Sequence, residues 1–130
     1  MTINDYKNVV VTGASSGIGE AIARCLSQED LNVHAIARRT ERLEDLSSTS
    51  GCLVHTMDVC DSKAFTDLLE KIEVDVLINN AGVGRGYGQL VEASYEDIDT
   101  TIDTNVKAAV HAVRAVLPGM IERKRGHVIN

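Results

Sequence analysis

A chain of 130 residues with 44% apolar residues, 25% charged residues and one proline has material for one core and too little for two ordinary domains. Its formal charge of −6 argues against a nucleic-acid surface, which is usually basic, and no window reaches the about 18 uninterrupted apolar residues of a spanning helix. The opening MTINDYKN lacks the basic-then-apolar order of a secretory signal, so a soluble, cytoplasmic chain is expected.

Apolar runs alternate with segments of helical period, the pattern of repeated βαβ units and a doubly wound parallel sheet of Rossmann-like α/β class. The first strand is expected at Asn8 to Thr12 and the first helix at Gly17 to Gln28, with Ile18, Ala21, Ile22, Cys25 and Leu26 on its apolar face. A second strand runs from Asn32 to Ala37. A short helix from Glu41 to Leu46 follows, then a Ser/Thr/Gly loop from Ser47 to Gly51 and a third strand from Cys52 to Met57. Asp61 or Ser62 caps a helix bearing Phe65, Leu68, Leu69 and Ile72. The three cysteines are odd in number, lack C-x-x-C spacing and sit in apolar runs, so they read as reduced, apolar-packed thiols, and no metal site is expected.

The fourth strand, Val74 to Ile78, is Val/Ile-rich and apolar apart from Asp75, as suits burial on both faces. Gly82, Gly84, Gly86 and Gly88 then alternate around Arg85 and Tyr87, and Arg85 reads equally as a solvated loop charge or a carboxylate contact. A helical pattern begins at Ser94, passes Ile98 and Ile102, and resumes from Val106 to Arg123 with Val110, Val113, Val116 and Leu117 on an apolar face. Pro118 is expected to bend or divide that helix and Gly126 to stop it. His127 to Asn130 begins a fifth strand, so the chain reads as the front part of a longer one, a single incomplete dinucleotide-binding domain over 1–130 truncated after that strand.

The stretch VTGASSGIG, at positions 11–19, lies between the first strand and the first helix. There Gly13 permits a tight turn, the amides of Ser15, Ser16, Gly17 and Ile18 face a phosphate, and Gly19 lets the helix pack closely. The spacing Thr12-Gly13-x-x-x-Gly17-Ile18-Gly19 resembles the TGxxxGxG fingerprint of the short-chain dehydrogenase/reductase family. Asn79-Asn80-Ala81-Gly82 resembles its NNAG motif, Asp58-Val59 its adenine-contacting pair, and Asn105 its helix asparagine. Bland readings stand beside these: Asp58 as a helix cap, Asn79 and Asn80 as turn formers, Asn105 as a polar residue at a helix bend. All four motifs nevertheless fall at strand ends near the expected switch point of the sheet, where open α/β sheets bind ligands.

The resemblance covers about the first half of a family member and implies hydride transfer between a nicotinamide and a carbonyl or alcohol carbon. Contacts to that cofactor are implied for Gly13, Ser15, Ser16, Gly17, Ile18, Gly19, Asp58, Val59, Asn80, Ala81 and Gly82. Ala37-Arg38-Arg39 ends the second strand where an acidic residue would bond the ribose of NAD, so NADP is favoured. Arg38 is expected on the 2′-phosphate, Arg39 stacking or assisting, and Ser15 adding its hydroxyl. Solvated arginines opening a helix are the alternative. Of the family's catalytic set only Asn105 is present: Tyr6, Tyr87 and Tyr95 are followed four residues later by Val10, Val91 and Asp99, so none forms Y-x-x-x-K. Arg38-Arg39-x-Glu41-Arg42-Leu43 and the run from Arg114 to Met120 resemble the NADP-dependent serine and 3-hydroxy-acid dehydrogenase branch. The long last helix, an interface element in the family, implies a homodimer or homotetramer of the intact protein. An inactive nucleotide-binding fragment or NADP(H) sensor is the alternative function.

Overall fold

The computed structural model describes residues 5–85 and 88–130; Gly86 and Tyr87 of the glycine loop lie outside these. Five strands, β1 (Asn8–Thr12), β2 (Asn32–Ala37), β3 (Leu53–Thr56), β4 (Val76–Ile78) and β5 (His127–Ile129), form one parallel sheet in the order β3-β2-β1-β4-β5. The order reverses between β2 and β4 about the central β1, which is the switch point the sequence placed there. Alternation along β1 sends Val9 and Val11 into one apolar layer and Val10 into the other. The first layer contains Leu43 and Leu46 of α2 (Thr40–Ser50) and Ala23 of α1 (Gly17–Leu26). The second contains Phe65 and Leu69 of α3 (Ser62–Lys71) and Ala108, Ala112, Val116 and Met120 of α5 (Ala108–Glu122).

Several local expectations change. In α1, which ends at Leu26 instead of Gln28, the buried residues are Gly19 and Ala23. Ile22 and Leu26 pack beside them, while Ile18, Ala21 and Cys25 are exposed. The smallest side chains face inward because this helix starts from a turn pressed against the sheet. α2 continues through Ser47–Ser50, where a loop was expected, and stops at Gly51, whose left-handed φ of 77° and amide hydrogen bond to the Ser47 carbonyl close it; along the last turn the hydroxyls of Ser48 and Thr49 donate to the Asp45 carbonyl at 3.0 and 2.7 Å and that of Ser50 to Leu46. β3 lacks Cys52 and Met57, and β4 begins two residues later than expected. Cys52 is buried, but Cys25 and Cys60 are exposed, so apolar packing holds for one thiol of the three.

A single helical segment runs from α4 (Tyr95–Ile102), capped by the Ser94 side chain, through a π turn at Asp103–Lys107 into α5. The expected interruption near Asn105 is this π turn, a one-residue insertion in the ladder. Pro118 lies inside α5 without dividing it. Residues at spacing four, Ala108, Ala112, Val116 and Met120, face inward, whereas Val110 is 60% and Leu117 39% exposed. The expected apolar face holds in part: Val116 is buried and Val113 packs beside it, Val110 and Leu117 turn outward, and Ala108 and Ala112 permit close approach to α3 and the sheet.

Lys124, not Gly126, ends this helix. Its φ of 51° is left-handed, and the amides of Lys124 and Arg125 donate to the carbonyls of Ile121 and Met120 at 3.0 Å each, a Schellman closure. Gly126 serves instead to let Met120 pack, since a Cβ there would collide with the Met120 side chain. A lysine in left-handed conformation costs what glycine would not, so Lys124→Gly should stabilise the fold by about 0.5–1 kcal/mol. Chemical denaturation would check this through a raised midpoint at unchanged slope.

Candidate nucleotide-binding site

At the carboxyl ends of the strands, a cleft of about 410 Å³ opens across the switch point. Its walls are the turn after β1 (Gly13, Ser15, Ser16), the end of β2 (Ile36 to Arg39), the segment after β3 (Met57 to Val59), the loop after β4 (Asn80 to Val83) and Thr104 of the π turn. Ten of the thirteen expected cofactor residues thus meet in one cleft. The other three, Gly17, Ile18 and Gly19, do not line it; Ile18 is 74% exposed at the start of α1, and Gly19 is buried beneath the turn.

The cleft floor is held by a side chain whose part in the motif was visible but whose work was not. Thr12, 2% exposed, accepts the amides of Asn80 and Ala81 at its hydroxyl, both at 3.0 Å, and donates to the Ile78 carbonyl at 3.3 Å. Asn80 answers with its carboxamide, donating to the carbonyls of Thr12 at 3.0 Å and Gly13 at 3.3 Å. The ends of β1 and β4 are therefore stitched together in both directions, which satisfies buried backbone groups that the ladder no longer reaches. This closeness explains the glycines. Gly13 has φ 67° and a Cβ on it would lie 2.8 Å from Ala81 Cα, while one on Gly19 would strike the Asn80 carboxamide and the Gly13 carbonyl.

The two arginines divide. The Arg39 guanidinium donates to Ser15 Oγ from Nε at 3.2 Å and from Nη2 at 3.1 Å, and to Ser16 Oγ at 2.6 Å. Ser15 is itself buried. Among the described residues no carboxylate pairs with Arg39, so its charge is held at the glycine turn by neutral hydroxyls alone. Arg38 instead lies 3.9 Å from Asp58 Oδ2, an exposed and weak pair. Asp58 does not cap α3, a task taken by Asp61, which accepts the Ala64 amide at 3.1 Å; its Oδ1 accepts the Cys60 amide at 2.9 Å and fixes the turn behind the cleft wall.

Asn105 lies outside the cleft, on an adjoining apolar groove along α5. Its carboxamide pairs with the backbone of Val83 in both senses, accepting from the amide at 2.8 Å and donating to the carbonyl at 2.7 Å. The π turn brings it to that loop. Asn79 belongs to the same groove and donates to the Asn130 side chain at 2.9 Å.

The family model for short chain dehydrogenase matches residues 7–130. The chain belongs to the short-chain dehydrogenase family. NADP-dependent 3-hydroxy acid dehydrogenase YdfG of Escherichia coli K12 is 43% identical over 129 residues, which cover 94% of this chain and 52% of that protein. Among solved structures, serine dehydrogenase from Escherichia coli superposes with a TM-score of 0.87 at 42% identity, over 95% of this chain and 60% of the other. A metagenomic short-chain oxidoreductase in complex with NADP gives 0.91 at 37% identity, over 95% and 61%. This short-chain dehydrogenase chain spans about half the length of the curated relatives it matches. No helix among its described residues is long and apolar enough to cross a membrane.

Thr12, Met57, Val83 and Thr104 are site residues that sequence reasoning passed over. Thr12 stands inside the TGxxxGxG fingerprint, and a hydroxyl closing the apolar run Val9-Val10-Val11 was the available signal. The other three carried none, because only the fold brings them to the cleft.

Proposed function

We propose that this chain is the nucleotide-binding half of an NADP(H)-dependent oxidoreductase acting on carbonyl or alcohol substrates, with 3-hydroxy acids as the favoured class. The observation that carries the reading is the Arg39 fork, held over the glycine turn by Ser15 and Ser16 with no carboxylate among the described residues to neutralise it. A guanidinium so placed suits a phosphate ester, and Ala37 leaves no acidic group at the strand end to compete for the ribose. The 3-hydroxy-acid assignment rests on the YdfG relative.

The cleft suits a dinucleotide on its own geometry, since Gly13, Ser15 and Ser16 of the turn line it and a Cβ at Gly17 would meet nothing within 4 Å, which leaves the start of α1 uncovered for a pyrophosphate. In this reading Gly13, Ser15, Ser16 and Gly17 hold the pyrophosphate. Arg39 with Ser15 holds the 2′-phosphate, Arg38 with Asp58 and Val59 borders the adenine, and Asn80 to Gly82 bound the nicotinamide side with Ile18. The bound cofactor supplies the hydride. Asn105 is a positioning residue that fixes Val83 and through it the wall of the cleft. With no tyrosine followed four residues later by lysine, the chain by itself holds no group for proton transfer beside the hydride, and it is expected to bind without turnover. The outward apolar groove of α5, lined by Val106, Val110, Leu117 and Ile121, supports a homodimer or homotetramer of the intact protein.

Calorimetric titration with NADP+ and with NAD+ tests the reading. Tighter binding of NADP+ is expected, with no steady NADPH oxidation on carbonyl substrates; equal affinities, or a preference for NAD+, would remove the NADP assignment.

A further inference from the structure

His34 on β2 and His55 on β3 are 21 residues apart in sequence, and the sheet brings their rings together at its open edge, with Nδ1 of His34 3.0 Å from Nε2 of His55. The ring planes differ by 14° and the centroids are 5.3 Å apart. Nitrogens that close are nearer than stacked rings permit, so the two imidazoles lie almost in one plane, edge to edge, with one proton between them. The strand register pairs His34 with Leu53 and Ile36 with His55, which places all four on one face of the sheet. Both rings are half-buried against that face.

We propose that His34 and His55 form a two-histidine chelate for a divalent late first-row cation, bridging β2 and β3 at the sheet edge. Two nitrogens on a tetrahedral zinc, each at 2.0–2.1 Å, stand about 3.3 Å apart, so the gap needs to widen by only a few tenths of an ångström while the rings tilt toward the solvent side. Neutral imidazole is the ligating form. Burial pushes both rings below the ordinary histidine range, and the neighbouring His55 adds to this at His34. Each ring keeps one proton on ligation: the proton between them moves to the outward nitrogen of the ring that carried it, so binding at neutral pH releases none. Among the described residues no third histidine, cysteine or carboxylate joins the pair, and water completes the coordination. The site is separate from the nucleotide cleft, although His55 lies three residues before Asp58 and His34 four before Arg38, so a bridge here stiffens the strands that carry the adenine wall.

Titration of the full chain with ZnCl2 near neutral pH, followed by calorimetry and thermal melting, is expected to give one saturable site and a raised melting temperature. The heat should be independent of the buffer's ionisation enthalpy. His34→Gln and His55→Gln should each weaken binding by about tenfold or more, or roughly 1.4 kcal/mol, while His111→Gln leaves it unchanged. Copper(II) should bind more tightly than zinc. If a substituted chain fails to fold, copper added below stoichiometry to the parent decides the matter, since it must broaden the His34 and His55 imidazole signals first. Absence of saturable binding, retained affinity in either folded glutamine variant, or first broadening elsewhere would overturn the proposal.

Discussion

Arg39→Ala is expected to weaken NADP+ binding about 10- to 100-fold and to leave NAD+ binding nearly unchanged. A hydrogen bond from a charged donor contributes about 1.5–3 kcal/mol, and each 1.4 kcal/mol is a factor of ten in affinity. The guanidinium is already oriented by Ser15 and Ser16, so little of its rotamer freedom remains to be lost on binding. Ser15→Ala should reproduce a fraction of the effect by releasing the fork. Arg38→Ala should cost less, because Arg38 lies toward Asp58 at 3.9 Å and is mostly exposed. Parallel titrations of the three variants with both dinucleotides distinguish the roles. A larger loss for Arg38→Ala than for Arg39→Ala would return the 2′-phosphate to Arg38, the residue favoured by its position in the sequence.

That reassignment marks where sequence reading stops. The order of elements, the parallel sheet and the meeting of three motifs at one end of it were legible, because strand runs such as Asn8–Thr12 and Asn32–Ala37 are bounded by turn residues and these motifs come after β1, β3 and β4, whereas Asn105 belongs to the π turn between α4 and α5 and lies outside the cleft. Which of two adjacent arginines turns over the glycine loop was not, since both follow Ala37 and the choice depends on hydroxyls 23 and 24 residues away in sequence. Helix faces were misjudged for a related reason. Periodicity counts large apolar residues, whereas α1 and α5 approach the sheet through Gly19, Ala23, Ala108 and Ala112, whose small size permits the contact. The stop of α5 was assigned to Gly126, yet Lys124 takes the left-handed conformation that ends it. Nothing in the spacing of His34 and His55 announced their contact, which parallel pairing of β2 with β3 alone creates.

Asp75→Ala is expected to destabilise the fold by about 3–5 kcal/mol, a large share of the 5–15 kcal/mol that a domain commonly has. Asp75 was read as part of the fourth strand but lies just before β4, fully buried, at the end of the sheet opposite the nucleotide cleft. Its Oδ2 accepts the amides of Lys7 and Asn8 at 2.8 and 3.1 Å, and its Oδ1 accepts Arg125 Nε at 3.0 Å and faces Nη2 at 2.9 Å. Its own amide donates to the Asn8 carbonyl and its carbonyl accepts the His127 amide. One residue thus ties together the starts of β1, β4 and β5, and alanine would strand two amides and part of a guanidinium. Burial, the largest single influence, pushes the Asp75 carboxyl up, but the two amides and Arg125 together outweigh it and hold it below the usual range. A lowered folded-state value means that the unfolded chain binds the proton more readily. The contribution is therefore complete above the unfolded aspartate value of about 3.9 and is lost as pH falls through the lower folded value. The histidine pair, also lowered, gives up its contribution in a separate and higher window, as pH falls below about 6.5. Thermal melting of the parent and of Asp75→Asn between pH 7 and pH 2 separates the two. Asparagine should lower stability at pH 7 and flatten the loss below about pH 4, leaving the histidine step in place. An Asp75→Asn chain that loses stability over the acid range as steeply as the parent would show that this carboxylate is not the group that fails first in acid.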